Sequence, residues 1–388
     1  MERKLLQKAP TMFKRTDVTL GNWRMRPYSS WSFQNVSELV PSAIVHGTRH
    51  PEAVARDLGP FARLQVENLS GEQRDLASFL AESESDSLVV MRRGEIVAEW
   101  SAGHNDPAKP HIIFSISKSV TGLLAGMLAA RGQLSLDDLV SRYVPETLGS
   151  AYGDLPIRHL LDMTVAIDFD ESYLDRKGDY DRYRRAMLWN PERPDEPTMT
   201  LPELMCRLPR AGHPHGSRHA YRSPNADMAA LVLEAASGMR YADLFDVLLW
   251  RPMGAYGDAH ITVDRAGNPR ASGGISMTAR DLARLGELVR TGGDGILPPA
   301  LIDALRAGGD KQVWAEGDQG FLFPGGSYRH FWYRAGSGEI CGMGIHGQSV
   351  WIDAANETVV VRMASESLPI NDALDQKVIA MLKKICAA

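Results

Sequence analysis

A serine and a lysine stand one helical turn apart in the first third of the chain. Ser115 and Lys118 are the ends of an S-x-x-K sequence, and side chains at positions i and i+3 lie on one face of a helix. The N-terminus of a helix presents free amides and positive potential, which stabilise the oxyanion formed when a hydroxyl attacks a carbonyl. A desolvated Lys118 would have a lowered pKa and could accept the proton of Ser115. The pair therefore predicts a nucleophile and its base.

The alternative for this pair is an ordinary helix-capping serine followed by a solvated lysine, since S-x-x-K arises by chance in many chains. The flanking sequence argues against that alternative. Phe114, Ile116 and the segment 120–128 are almost entirely apolar, so the face that carries Lys118 should be buried. Lysine is almost never fully buried unless its ammonium group is paired, so burial of Lys118 would indicate a specific role.

A second proton carrier is needed to protonate the leaving group in acyl transfer, and Tyr221 is the candidate. It lies in the loop sequence Tyr221-Arg222-Ser223-Pro224-Asn225, just before a predicted helix. A phenol beside a lysine ammonium would have a lowered pKa and could shuttle a proton. The alternative is a packing tyrosine at the start of a helix, and residue type alone does not separate the two.

A glycine-rich segment supplies the third candidate element. Residues 341–347 read CGMGIHG and lead into the strand-like sequence QSVWID. Small residues let a backbone approach a substrate closely, so this segment could donate a backbone amide to an oxyanion hole. The alternative is a glycine-rich turn into an edge strand.

The elements that would position these groups are readable from hydrophobic periodicity. A helix is predicted from Ser115 to Arg131, and further helices over 71–85, 276–293 and 371–386. Hairpins are predicted around Gly94 and across 354–356. Strands near both ends with helices between them predict one sheet built from both chain halves, with a helical insertion.

The bulk composition is that of a globular protein of 388 residues, long enough for two lobes. Its net charge of −5 offers no basic surplus for phosphates, so we expect no nucleic-acid partner. The N-terminal sequence lacks an apolar signal segment, and no run of about 18 apolar residues occurs. We therefore expect no membrane association and a cytoplasmic location.

The cysteines and histidines give little support for a metal site. Cys206, Cys341 and Cys386 are widely spaced and form no C-x-x-C pattern. The sequence His213-Pro214-His215 with His219 has no acidic or cysteine partner nearby, which favours a solvent-exposed loop. We expect no metal ion.

Taken together, the motifs resemble those of the penicillin-recognising serine hydrolases, which include class C β-lactamases, D-alanyl-D-alanine peptidases and family VIII carboxylesterases. Within that superfamily the resemblance is greatest to the 6-aminohexanoate-dimer (nylon-oligomer) hydrolases, and it extends from about residue 20 to the C-terminus. The matching segments, in chain order, are SISKSVTG (115–122), YVPE (143–146), YRSPNAD (221–227), GGISMTARDLARLG (273–286) and GIHGQSVWID (344–353).

The resemblance implies an α/β fold of the β-lactamase/transpeptidase type, with a central antiparallel sheet flanked by helices and a mostly helical domain. We assign residues 1–125 and 270–388 to the sheet domain, with 1–70 as an N-terminal arm, and residues 126–269 to the helical domain. The active site would lie between the two domains.

The resemblance also implies roles for single residues. Ser115 would be the nucleophile, Lys118 the base and Tyr221 the proton carrier, with the backbone amides of Ser115 and Ile345 forming the oxyanion hole. Further residues are expected near the substrate. Tyr173 would close over the substrate amide, Ser223 would line the Lys–Tyr network, and Gly344 would lie beside the oxyanion hole. Ser272 stands where the nylon-oligomer hydrolases have Asn. Asp181 would hold an ammonium end of the substrate, with a surface charge as the alternative, and His346 would contact the substrate, with a packed histidine as the alternative.

The departures from the family pattern guide the functional prediction. Penicillin-recognising enzymes usually carry K-T-G or H-T-G on the oxyanion strand, whereas this chain has Gly342-Met343-Gly344. Without that cation, binding of a β-lactam carboxylate is weakened. We therefore predict a carboxylesterase or amidase that forms an acyl-enzyme on small ester or amide substrates. The resemblance implies no cofactor, and the sequence is compatible with a homodimer. The alternatives are a β-lactamase or D-Ala-D-Ala peptidase, and a ligand-binding protein without turnover.

Overall fold

The chain folds around a seven-stranded antiparallel sheet in the computed structural model, which describes residues 13–48 and 57–388. This sheet has the strand order β5-β4-β13-β12-β11-β10-β9, a four-stranded sheet has the order β1-β7-β8-β6, and β2 pairs with β3. The strands are β1 Ser42–Val45, β2 Gln65–Glu67, β3 Gln73–Asp75, β4 Ser85–Arg92, β5 Glu95–Ser101, β6 His111–Ile112, β7 Ala259–Thr262, β8 Ile275–Met277, β9 Ser327–Arg329, β10 Trp332–Arg334, β11 Ile340–Gly344, β12 Gln348–Asp353 and β13 Thr358–Ala364.

Helices cover the large sheet and fill the middle of the chain. The α-helices of the described residues are α1 Ser29–Ser32, α2 Leu76–Glu82, α3 Ile116–Ala130, α4 Ile157–Leu161, α5 Asp179–Ala186, α6 Leu201–Met205, α7 Pro224–Ser237, α8 Tyr241–Phe245, α9 Ala279–Arg290, α10 Pro299–Ala307, α11 Lys311–Ala315 and α12 Asp372–Ala387. Short 3₁₀ turns occur at Arg15–Asp17, Val36–Glu38, Gly59–Arg63, Val140–Arg142 and Pro145–Thr147, and Asp246–Trp250 forms a π-helical turn.

The large sheet is buried on both faces, because every residue along β12 and β13 is buried. Successive side chains of a strand point to opposite faces, and β12 shows what covers each face. Val350 lies near Gly342 and Gly286, which places it on the side of α3 and α9. The neighbouring Trp351 ring lies 5.8 Å from the Lys383 ammonium of α12. The sheet is therefore the middle layer between two sets of helices.

Helix α3 is the buried element that carries the S-x-x-K sequence. Every residue from Ile116 to Leu128 is buried, so packing stabilises this helix on all sides. At Gly122 an added Cβ would lie 1.9 Å from the His330 carbonyl oxygen, so only glycine permits this close approach. The helix is held deep in the molecule, and its N-terminus opens toward β11.

Several elements predicted from the sequence are confirmed. The hairpins β4–β5 and β12–β13 pair as expected, and the large sheet joins strands from both chain halves. The helix predicted over 71–85 begins only at Leu76, because Gln73–Asp75 pairs with β2 and the Asp75 side chain caps the helix.

The N-terminal arm is more ordered than its sequence suggested. No strand was predicted within it, yet it contributes β1, which pairs with β7 in the four-stranded sheet. Trp23 is fully buried, and its indole N–H donates to the Trp189 carbonyl oxygen at 3.1 Å. Residues 1–12 and 49–56 of the arm lie outside the described residues. In the described part of the chain, no helix is both long and apolar enough to cross a bilayer.

Candidate active site

Ser115 and Lys118 meet at the N-terminus of α3. Ser115 is the residue that immediately precedes the helix, and the Lys118 ammonium nitrogen lies 2.8 Å from its Oγ. Phe114, just before it, has a φ of +42°, an uncommon backbone conformation for a bulky side chain. Such strain is stored where the surrounding structure demands it, often at functional sites. The turn at Phe114 sets the position of the Ser115 hydroxyl at the start of the helix.

Lys118 is almost completely buried, with 1% of its surface exposed. Burial lowers its pKa from about 10.5 to about 7, which is the direction expected from the sequence. The negative charges of Glu171 and Asp227 act to raise this pKa, and the charge of Arg270 acts to lower it. A large share of the amine is therefore uncharged near neutral pH and can accept a proton from Ser115.

The second partner of the amine is a backbone carbonyl. Lys118 Nζ donates to the Ser272 oxygen at 2.7 Å, and the Ser272 amide donates to Asp227 Oδ1 at 2.7 Å. Asp227 forms a fully buried ion pair with Arg270, and the Ser272 hydroxyl contacts Arg270 and Tyr183. Ser272 thus reaches the site through its backbone, which fixes the direction of the Lys118 side chain.

Tyr221 lies above this amine. The Lys118 nitrogen is 4.8 Å from the centre of the Tyr221 ring, and the Tyr221 hydroxyl interacts with those of Ser115 and Tyr333. The expectation of a lowered pKa was wrong, because burial raises the pKa of Tyr221 above its usual value near 10 despite the interaction with Ser115. The resting phenol is neutral and can donate a proton or a hydrogen bond.

The loop that carries Tyr221 is held by two carboxyl groups from other segments. Both oxygens of Asp318 accept from the Tyr221 amide at 3.1 Å, and Asp318 Oδ2 also accepts from Arg222 at 2.8 Å. Two residues further on, Glu171 accepts from the Ser223 amide and from its hydroxyl, each at 2.5 Å. Ser223 was expected to line the Lys–Tyr network, but its hydroxyl donates to Glu171 instead.

Tyr173 lies at the same pocket, as expected. Its hydroxyl donates to Glu171 Oε1 at 2.8 Å, and burial raises its pKa well above 10. The ring packs edge-on against Tyr180 with centroids 4.8 Å apart. Tyr173 is therefore positioned on the pocket wall by Glu171 and by an aromatic neighbour.

The end of β11 passes directly beside the nucleophile. At Gly344 an added Cβ would lie 2.7 Å from the Ile113 oxygen and 3.1 Å from the Ser115 nitrogen, so a side chain would not fit. In the described residues, no hydrogen-bond partner occurs for the backbone amides of Ser115 and Ile345. Two unpaired amides beside a hydroxyl can accept a developing negative charge, which is the requirement for an oxyanion hole.

These groups surround a cavity of about 290 Å³. Among the described residues that line it, Arg222 is the sole lysine or arginine, whereas several carboxyl groups face it. The carboxyl groups belong to Glu171, Asp318, Asp372 and Asp375, and apolar surface comes from Phe321, Leu322, Tyr333, Met343, Ile345 and Ile370. A larger cavity of about 410 Å³ between β5 and α9 is lined by neither Ser115 nor Tyr221. Both residues line the smaller cavity, which is therefore the candidate site.

Two predicted site residues lie elsewhere. Asp181 is buried and does not line the cavity. Its carboxyl group accepts from Asn190 at 2.7 Å and pairs with Arg185 and Arg193 at 3.2 and 3.0 Å. These partners already neutralise Asp181, so this geometry does not present its charge to an ammonium group in the cavity. The alternative of a surface charge is wrong, because Asp181 is buried.

His346 is packed beneath the site rather than facing it. It is 3% exposed, its Nδ1 bonds to the Glu366 carbonyl oxygen at 2.7 Å, and its ring contacts Phe33 and Phe114. Burial lowers its pKa to about 3. The structure agrees with the packed alternative, and a substrate contact is not part of this geometry.

Sequence reasoning missed the charged residues that hold the site together: Glu171, Asp227, Arg270 and Asp318. Asp227 lies inside the quoted segment YRSPNAD, and Glu171 lies two residues before Tyr173. Proximity to these motifs is the one signal that could have singled them out. Asp318 and Arg270 carry no such signal.

Comparison with known proteins places this geometry in context. The family model described as Beta-lactamase matches residues 73–381. The 6-aminohexanoate-dimer hydrolase of Paenarthrobacter ureafaciens is 34% identical over 357 residues, which cover 90% of this chain and 88% of that protein.

Solved structures agree on the fold. A Bacillus anthracis protein named "Putative 6-aminohexanoate-dimer hydrolase" superposes with a TM-score of 0.84 at 22% identity, covering 96% of this chain and 98% of the other. A class C beta-lactamase superposes with a TM-score of 0.57 at 15% identity, covering 81% and 94%. These matches confirm the β-lactamase/transpeptidase-like fold predicted from the sequence.

Proposed function

The chain belongs to the β-lactamase family, and we propose that it is a serine hydrolase that cleaves esters or linear amides through an acyl-enzyme on Ser115. The observation that carries the proposal is the 2.8 Å contact between Ser115 Oγ and a buried Lys118 whose pKa is lowered to about 7. An amine in this state is a base at neutral pH and is already in contact with the proton that it must remove.

The first step is attack on the substrate carbonyl. Lys118 takes the Ser115 proton as the bond from Oγ to the carbonyl carbon forms, and the carbonyl oxygen becomes an oxyanion. The backbone amides of Ser115 and Ile345 would hold that oxyanion, and the loss of one such donor typically costs about 10²–10³ in kcat. The N-terminus of α3 adds favourable potential at the same point.

The second step expels the leaving group. Tyr221 donates its proton to the leaving oxygen or nitrogen as the carbon–heteroatom bond breaks, and the protonated Lys118 returns a proton to Tyr221. The raised pKa of Tyr221 suits a proton donor, because the phenol stays protonated until the leaving group accepts its proton. Water then attacks the acyl-enzyme by the reverse sequence of proton transfers and regenerates Ser115.

The substrate class that we propose is small esters and linear amides. The relative named 6-aminohexanoate-dimer hydrolase supports a linear amide, and a cavity of about 290 Å³ suits a small molecule. Strand β11 reads ICGMG and has no cation to grip a β-lactam carboxylate. We further propose that the site lies between a sheet domain (1–125 and 270–388) and a helical domain (126–269).

A substrate panel on the wild type and on Ser115→Ala tests this function. The panel contains p-nitrophenyl esters of short acids, the linear dimer of 6-aminohexanoate and nitrocefin. We expect turnover of the esters or the linear amide by the wild type and none by Ser115→Ala. Ester and amide turnover that survives in Ser115→Ala would reject the proposal.

A further inference from the structure

Glu171 links two separate segments of the site through its carboxyl group. Oε1 accepts from the Tyr173 hydroxyl at 2.8 Å and from the Ser223 hydroxyl at 2.5 Å, and Oε2 accepts from the Ser223 amide at 2.5 Å. Tyr173 belongs to the loop before α5, whereas Ser223 is the residue just before α7. One side chain therefore ties the wall that carries Tyr173 to the loop that carries Tyr221.

The link matters for Tyr221 because that residue lies only two positions before Ser223. The loop is held at the Tyr221 amide by Asp318 and at the Ser223 amide by Glu171. Because the amides on both sides of Arg222 are held, the loop cannot rotate freely. Free rotation of the loop would move the Tyr221 phenol away from Ser115. Asp318 and Glu171 come from different segments, so the loss of one leaves the other contact intact.

Glu171 also differs from Asp318 in its electrostatic effect. The charges that act on Lys118 are those of Glu171, Arg270 and Asp227, with Glu171 the strongest of them, and Asp318 is not one of them. Asp227 is neutralised by a fully buried pair with Arg270. Glu171 has no cationic partner in an ion pair among the described residues, and its bonds come from hydroxyl and amide donors.

We propose that Glu171 is a positioning residue of the reaction, which fixes the Tyr173 and Ser223 segments against each other and keeps one negative charge beside the Lys118–Tyr221 pair. The proposal rests on the function proposed above, since it assigns Glu171 no contact with the reacting atoms. Two consequences follow, one geometric and one electrostatic, and they can be measured separately.

Glu171→Gln is the central variant because it keeps the size of the side chain and removes the charge. We expect kcat to fall roughly tenfold, since one or more of the three hydrogen bonds is weakened. The acid limb of the pH profile should move to lower pH by about 0.5–1 unit, because the negative charge that raises the pKa of Lys118 is gone.

Asp318→Asn is the matched control. It alters a carboxyl group that holds the same loop but does not act on Lys118. Its kcat can fall, but its acid limb should stay at the wild-type pH. Glu171→Asp is the second variant, since it keeps the charge but is one methylene too short to span all three donors. For Glu171→Asp we expect a lower kcat and an acid limb of the pH profile at the same pH as in the wild type. This variant also replaces Glu171→Gln if that protein does not fold.

Steady-state kinetics over pH 5–10 on an ester turned over by the wild type decide the matter, with thermal unfolding as the check of folding. We expect Glu171→Gln to have a lower kcat and an acid limb moved to lower pH. We expect Asp318→Asn to keep its acid limb at the wild-type pH. Any other combination overturns the proposal, including a lower kcat with an unshifted limb. If Glu171→Gln does not fold and Glu171→Asp is measured in its place, a wild-type kcat in Glu171→Asp overturns the proposal. Ser115→Ala, run in the same series, must be inactive, and activity there would reject the proposed function instead.

Discussion

The carbonyl oxygen of Ser272 accepts a hydrogen bond from the Lys118 ammonium nitrogen at 2.7 Å, opposite the Ser115 hydroxyl at 2.8 Å. The amine is therefore held between two oxygens, one of which belongs to the backbone. The Ser272 amide is itself fixed by Asp227. If Lys118 acts as the proposed base, an amine whose direction is fixed in this way would lose little entropy when the reaction begins.

The first prediction concerns the base itself. Lys118→Met should lower kcat/KM by about 10³-fold or more, because the amine that contacts Ser115 Oγ and would take its proton is removed. The protein should remain folded, since replacing a buried amine by an apolar side chain of similar length removes a desolvation cost. Lys311→Met, at an exposed position on α11, is the control and should keep wild-type kinetics. Wild-type activity in Lys118→Met would contradict the assignment.

The second prediction is the pH profile of the wild-type enzyme. Because only the uncharged amine can accept a proton, kcat/KM should rise with pH through about 7, the lowered pKa of Lys118. Below that value it should fall about tenfold per pH unit. No loss is expected on the alkaline side up to pH 9, since burial raises the pKa of Tyr221 above its usual value. An acid limb near pH 4 would instead indicate a carboxylate base.

The third prediction concerns the oxyanion hole. Gly344→Ala should lower kcat by about 10²-fold, since the added Cβ would lie 2.7 Å from the Ile113 oxygen and must push β11 away from Ser115. The amide of Ile345 would move with the strand. Gly103→Ala is the control, because no atom lies within 4 Å of its added Cβ. Equal kinetics for the two variants would show that the end of β11 is not part of the machinery.

The fourth prediction separates this enzyme from β-lactamases. Nitrocefin turnover should be far slower than turnover of short-chain p-nitrophenyl esters, since β11 has no cation and carboxyl groups predominate in the cavity. The substrate carboxylate of a β-lactam would meet like charge there, which disfavours binding. Comparable kcat/KM values on the two substrates would overturn this prediction.

The sequence predicted the parts of the site that follow a regular pattern. Helix α3 and the hairpin β12–β13 have clear hydrophobic periodicity, so their positions in the chain could be predicted from the sequence. The positions of Ser115 and Lys118 at the start of α3 followed from that prediction. The S-x-x-K spacing needs only one helix, and a single helix is a local structure that the sequence determines well.

The remaining parts depend on contacts between distant segments. Glu171 and Asp318 lie in loops, 52 and 97 residues from the amides that they accept from, and no local pattern predicts such pairs. The direction of the pKa shift of Tyr221 was missed for the same reason, because its burial comes from segments folded around it. Asp181 was misjudged for a different reason, because its pairing with Arg185 one turn further along α5 is a local pattern that the prediction overlooked.

Covalent labelling can identify the nucleophile of the reaction. A fluorophosphonate probe is incubated with the wild type, Lys118→Met and Ser115→Ala, and the modified peptide is located by mass spectrometry. We expect a single adduct on Ser115, formed much more slowly in Lys118→Met and absent in Ser115→Ala. An adduct on another residue, together with ester turnover by Ser115→Ala, would show that Ser115 is not the nucleophile.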